Sequence, residues 1–186
     1  MLILQHPLEV DHAKNTARLL HMSLPGSRML VGEAFDDARL CEAIAVPKYT
    51  VLLYPPAVYE GHATPAPLDA EQLRDPSKVR LVVLDGTWRK SRKMLHLSPL
   101  LQGLPRVSLA DAPPSGYAIR KAHKPGQLST LEATCAALAQ LEGDAEKFRP
   151  MLKAFDGFVS QQQEFIGKKA CSALRTCVRS SQFDSN

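Results

Sequence analysis

Residues 81–95, LVVLDGTWRKSRKML, carry a hydrophobic run straight into an acid, a glycine, a hydroxyl, an indole and four cations. In that order the residue types suit catalysis at a strand end. Asp85 is a carboxylate that can take a proton where the end of a strand leaves it partly desolvated. Gly86 permits a tight turn, and Thr87 can cap a helix opening at Trp88. Ligands of open α/β sheets bind beyond the carboxyl ends of the strands, which is where this carboxylate falls. The same pattern also describes a purely structural turn, with Asp85 capping it and Trp88 in the core. Spacing alone leaves both readings open. No G-x-G-x-x-G, P-loop, G-x-S-x-G or H-E-x-x-H motif offers another centre.

Cations gather at this spot and after it. Between Gly86 and Leu131 stand eight basic residues, Arg89, Lys90, Arg92, Lys93, Arg106, Arg120, Lys121 and Lys124, against one acid, Asp111. A solvated helix face accounts for the run from Arg89 to Lys93. The second group, Arg120 to Lys124, follows a separate element and points to a polyanion, of which nucleic acid is the commonest. The net charge of +4 by itself says little about partners.

The elements that must hold these groups are short apolar runs at 2–4, 28–31, 49–54, 79–84 and 106–109, read as buried parallel strands. Helical patterns lie between them at 14–22, 36–45, 69–74 and 88–97. This alternation predicts an α/β domain with a mainly parallel sheet and helices on both faces. Residues 110–127 are rich in proline and glycine without periodicity and read as a long binding loop. Ser129 and Glu132 then fit a capping box, opening a helix whose stripe of Leu131, Cys135, Leu138 and Leu141 ends at Gly143. A last helix is expected over about 145–166.

With 186 residues, 45% hydrophobic and 23% charged, the chain suits one domain, 1–167, followed by a polar basic tail, 168–186. Its apolar runs are too short to span a membrane, and its N-terminus lacks the basic region of a secretory signal. A cytoplasmic protein is therefore expected. Cys41, Cys135, Cys171 and Cys177 form no C-x-x-C pair, so reduced thiols and no metal site are expected.

Asp85-Gly86-Thr87-Trp88 resembles the D-x-T-W signature of the DTW-domain family, the tRNA-uridine aminocarboxypropyltransferases, distant relatives of the SPOUT methyltransferases. Further blocks resemble that family in order. They are His6-Pro7, Glu9 and Asn15-Thr16; Leu52 to Pro55; Tyr117 to Lys121; and Leu128 to Ala133. The resemblance implies a SPOUT-like fold with a trefoil knot, S-adenosylmethionine as cofactor and tRNA as partner. It implies transfer of the 3-amino-3-carboxypropyl group to uridine N3, with Asp85 as candidate general base. By the same resemblance the cofactor falls to Tyr54, Pro55, Gly86, Thr87, Trp88, Leu109, Tyr117, Arg120, Leu128, Ser129 and Thr130. RNA phosphates fall to Arg89, Lys90, Arg92, Lys93, Lys121 and Lys124. His6 reads as a packed turn histidine rather than a catalyst. The rival readings are an RNA methyltransferase on the same fold and a non-catalytic RNA-binding module.

Overall fold

Five apolar runs become the five strands of one sheet in the computed structural model, which describes residues 1–12, 15–35, 38–57, 60–109 and 128–161. The strands are β1 (Leu2–Gln5), β2 (Arg28–Val31), β3 (Tyr49–Leu53), β4 (Val79–Asp85) and β5 (Arg106–Val107). They lie in the order β2-β1-β4-β3-β5, and every pairing is parallel. The helices are α1 (Thr16–Ser23), α2 (Ala38–Ile44), α3 (Ala70–Leu73), α4 (Trp88–His96), α5 (Pro99–Gln102) and α6 (Thr130–Glu142). A last helix, α7, is described over 149–161.

Side-chain alternation along the strands builds two cores. On one face Leu2, Leu4, Leu52, Val82 and Leu84 pack against Leu40 of α2, Met94 and Leu95 of α4 and Leu101 of α5. On the other face Ile3 packs against Ala17 and Leu20 of α1, Leu131 and Cys135 of α6 and Phe155 of α7. Val51, Leu81, Val83 and Val107 continue that second core beneath Ala137 of α6. Burial pushes the Cys135 thiol up to about 11, so it behaves as a packing residue.

Local chemistry explains where elements begin. Helix α1 starts at Thr16, because Asn15 takes the cap position and accepts from the Arg18 amide at 2.9 Å. The capping box forms as expected, with Ser129 accepting from the Glu132 amide and the Glu132 carboxylate accepting from the Ser129 amide at 2.8 Å. Gly143 closes α6 in the left-handed conformation at φ 68°. The uninterrupted helix expected from about 145 is instead a 3-10 turn, Glu146–Phe148, followed by α7. Pro150 has no amide proton and is tolerated only in a first turn, so α7 must begin beside it. Short α5, with Pro99 opening it, escaped the sequence reading. The binding loop expected at 110–127, the knot it would thread and the tail lie outside the described residues.

Leu52 is fully buried between β4 and β5, whereas Leu8 is 72% exposed. Urea unfolding should show Leu52→Ala losing about 2–5 kcal/mol, with Leu8→Ala within about 0.5 kcal/mol of the parent.

Candidate active site

Neighbouring strands β1 and β4 send their connections to opposite faces: β1 leads into α1 on one side, β4 into α4 and α5 on the other. Such divergence opens a crevice at the carboxyl ends of the two strands. Their last residues, Gln5 and Asp85, are paired in register there, and the His6 amide donates to the Asp85 carbonyl at 3.0 Å.

Asp85 is 6% exposed, and both of its carboxylate oxygens are engaged. Oδ2 accepts from Gln5 Nε2 at 2.9 Å, and Oδ1 accepts from the Thr130 hydroxyl at 2.7 Å. Gln5 Nε2 also donates to Asn15 Oδ1 at 3.0 Å, reaching the cap of α1. Asn15 in turn donates to the Val10 carbonyl at 2.9 Å. One carboxylate thus ties β4 to β1, α1 and α6. An ionised carboxylate has about four lone-pair sites, so these two bonds leave it able to accept from a substrate.

The turn after Asp85 is built for close approach. Gly86 has no positive φ, so the conformational freedom expected of it is not what this turn uses. A Cβ at that position would lie 3.1 Å from Lys90 Cβ and 3.6 Å from His6 Cβ, so space is the requirement. Thr87 caps α4, accepting from the Lys90 amide at 3.4 Å. Buried His6 accepts from the Leu8 amide at Nδ1, which leaves Nε2 to donate to Glu33 at 3.0 Å.

The four cations of α4 divide into two kinds. Lys90 pairs with Glu9 at 2.7 Å, both side chains largely shielded from water, and Lys93 pairs with Glu33 at 2.9 Å. Lys93 and His6 together hold the Glu33 carboxyl below its ordinary range through their hydrogen bonds. Arg89 and Arg92 are exposed.

Tyr54, buried just beyond β3, meets Trp88 edge to face at 5.9 Å and 68°. The Arg106 guanidinium lies 5.5 Å from the Tyr54 ring centre and donates to the Pro55 carbonyl at 3.2 Å. Trp88 remains 52% exposed and forms part of the wall of an open cleft of about 590 Å³. His62 Nε2 stands 3.1 Å from His96 Nδ1 in that cleft.

Of the residues assigned to the cofactor, Gly86, Thr87, Ser129 and Thr130 gather around Asp85, and Tyr54 and Trp88 stand together beside them. Leu109 is half-buried against the core beneath α6, and Leu128 is half-buried just before the α6 cap. Tyr117, Arg120, Lys121 and Lys124 lie outside the described residues. The sequence reading missed Gln5, Glu33 and the His62–His96 pair. A lone polar residue ending the apolar run LILQ was the available signal for Gln5; nothing local marks the others. Among the described residues no three His, Cys, Asp or Glu side chains group as a metal site, and no helix is long and apolar enough to cross a membrane.

The DTW domain family matches residues 1–163. The tRNA-uridine aminocarboxypropyltransferase 2 of Drosophila melanogaster is 33% identical over 151 residues, covering 78% of this chain and 57% of that protein. The tRNA-uridine aminocarboxypropyltransferase A of Arabidopsis thaliana is 27% identical over 193 aligned positions, 89% of this chain and 72% of that one. A Mus musculus relative, also named tRNA-uridine aminocarboxypropyltransferase 2, is 32% identical over 147 residues, 75% of this chain and 47% of its own. The chain spans about half the length of these animal relatives. No solved structure matches it.

Gln5→Met keeps the length of the side chain but strips the donor from both Asp85 and Asn15. It should cost about 1–3 kcal/mol by urea unfolding, the penalty for unsatisfied buried acceptors. Arg89→Ala, on the exposed side of α4, should stay within about 0.5 kcal/mol.

Proposed function

This chain belongs to the DTW-domain family, and on that footing we propose that it transfers the 3-amino-3-carboxypropyl group from S-adenosylmethionine to N3 of a uridine in tRNA. The observation that carries this reading is convergence. His6 and Asn15 from the opening block, Gln5 beside them, Asp85 to Trp88, Tyr54, and Ser129 to Glu132 all meet at the carboxyl ends of β1, β3 and β4. Relatives named for this activity in fly, plant and mouse support it.

The residues present fit such a donor. The Thr130–Asp85 bond brings the N-terminal turn of the 13-residue helix α6 beside the crevice, where its positive end suits a carboxylate. S-adenosylmethionine, when bound, supplies a methylene carbon next to a sulfonium, so that attack breaks the carbon–sulfur bond and leaves 5'-methylthioadenosine. Thr130 and Ser129 would hold the donor's amino-acid end together with Arg120, while Tyr54, Pro55, Gly86, Thr87, Leu109, Tyr117 and Leu128 would wall in the rest. In the SPOUT-like knotted fold that the family resemblance implies, the donor would lie against loops near the carboxyl edge of the sheet.

Uridine N3 is a poor nucleophile until it loses its proton. In this reading Asp85 takes that proton on a lone pair that neither Gln5 nor Thr130 uses, and those two bonds hold the carboxylate in one orientation while it does so. Arg89 and Arg92 lie on the helix that leaves this turn and would meet tRNA phosphates, joined by Lys121 and Lys124. Lys90 and Lys93, already paired with acids, would reach RNA only by exchanging those partners.

Incubating the full chain with tRNA and S-adenosylmethionine should yield aminocarboxypropyluridine by nucleoside mass spectrometry, together with methylthioadenosine. S-adenosylhomocysteine with a methylated nucleoside would establish the methyltransferase rival instead. Absence of both products, with no heat of S-adenosylmethionine binding in calorimetry, would point to the binding module instead.

Asp85→Asn should lower turnover by roughly two to four orders of magnitude. Turnover within a few fold of the parent removes Asp85 from the role of base.

A further inference from the structure

One face of α4 carries Trp88, Arg89, Arg92, Lys93 and His96, spaced so that they line a single wall, while Ser91, Met94 and Leu95 face the core. Among the described residues His62 and one acid, Glu60, complete the lining. The cleft is open to solvent, and its volume, about 590 Å³, falls within the range of sites for ligands of roughly nucleotide size. Trp88 is not itself a buried core residue, and its contact with buried Tyr54 holds an indole in place with half its surface in water. Such a platform suits stacking of a planar ring.

The charge of the cleft selects the ring's chemistry. Lys93 is paired with Glu33, and among the described lining residues Arg89 and Arg92 still outnumber Glu60, so a cationic sulfonium is disfavoured and a phosphate is favoured. We propose that this cleft binds one unpaired nucleotide of the RNA, its base stacked on Trp88 and its phosphate held by Arg89, Arg92 and the His62–His96 pair. This rests on the reading of the substrate as tRNA but moves Trp88 from the donor to the RNA.

The imidazole pair makes the grip depend on pH. Burial pushes His62 below its usual range, and His96, Arg106 and Arg92 add to that. Arg89 and Lys93 line the same cleft, with Glu60 the acid among its lining groups. The free cleft therefore keeps His62 neutral near pH 7. A phosphate beside the pair reverses the balance, so binding takes up a proton and tightens as pH falls toward and below the ordinary imidazole range.

Trp88 is the single tryptophan of the chain, so its fluorescence reports the cleft directly. Titrating a single-stranded hexauridylate into the full chain should quench that fluorescence saturably, and S-adenosylmethionine alone should leave it unchanged. Quenching by S-adenosylmethionine with none by hexauridylate would overturn the proposal. Trp88→Ala should weaken hexauridylate binding by roughly tenfold to a hundredfold, and Trp88→Phe by far less. Equal affinity in all three proteins would also overturn it. Between pH 7.5 and 5.5 the parent should bind a few fold more tightly, and His62→Gln with His96→Gln should abolish that gain. A gain that survives removes the histidines from the site. Release of methylthioadenosine from tRNA reactions is measured separately, so a protein that makes it without any hexauridylate quench keeps the proposed activity and loses this site alone.

Discussion

The carboxylate of Asp85 sits where two apolar layers meet, at a depth that strips it of most water, and it remains acceptable there because β1 and α6 each donate a hydrogen bond to it. The rest of the crevice follows from that requirement. Gln5 must end β1 as a polar residue in an otherwise apolar strand, and its second amide proton then goes to the cap of α1. Thr130 must open α6 at the height of the sheet's carboxyl edge, which places the Ser129–Glu132 capping box beside the same carboxylate. The centre that would react is therefore also the centre that ties β4 to β1, α1 and α6. Groups with both duties resist substitution on either account.

Charge is arranged around this centre with the same economy. Lys90 and Lys93 are matched by Glu9 and Glu33, acids that arrive from the loops after β1 and β2. Those pairs dock the start of α4 against the turn that begins at His6, and Glu33 serves His6 and Lys93 together. Arg89 and Arg92 on the same helix are exposed, and their planar, weakly hydrated guanidinium groups suit phosphate contacts better than lysines do. A run that reads as four equivalent cations thus holds two lysines paired with acids from distant segments and two exposed arginines.

Much of this protein was determined by sequence alone, because the signals involved are local. Strand runs, the alternation that makes the sheet parallel, the cap at Thr87, the capping box at Ser129 and the glycine stop at Gly143 each depend on a handful of neighbouring residues. The ordered blocks of the DTW signature are likewise local strings. Asp85 could be placed at a strand end for the same reason.

What only the tertiary structure decided depends on register and crossover, which no local pattern encodes. Asp85 meets Gln5 across 80 positions and Thr130 across 45, because β1 lies beside β4 and α6 returns over the opposite face. The lysine pairings, the spatial rather than conformational need for Gly86, and the meeting of His62 with His96 all arise from that packing. Residue types show what each group can do, but which partner satisfies a buried donor or charge depends on where the sheet brings distant segments together. For that reason the sequence could place a carboxylate at the site, and only the fold could show that it also holds the site in place.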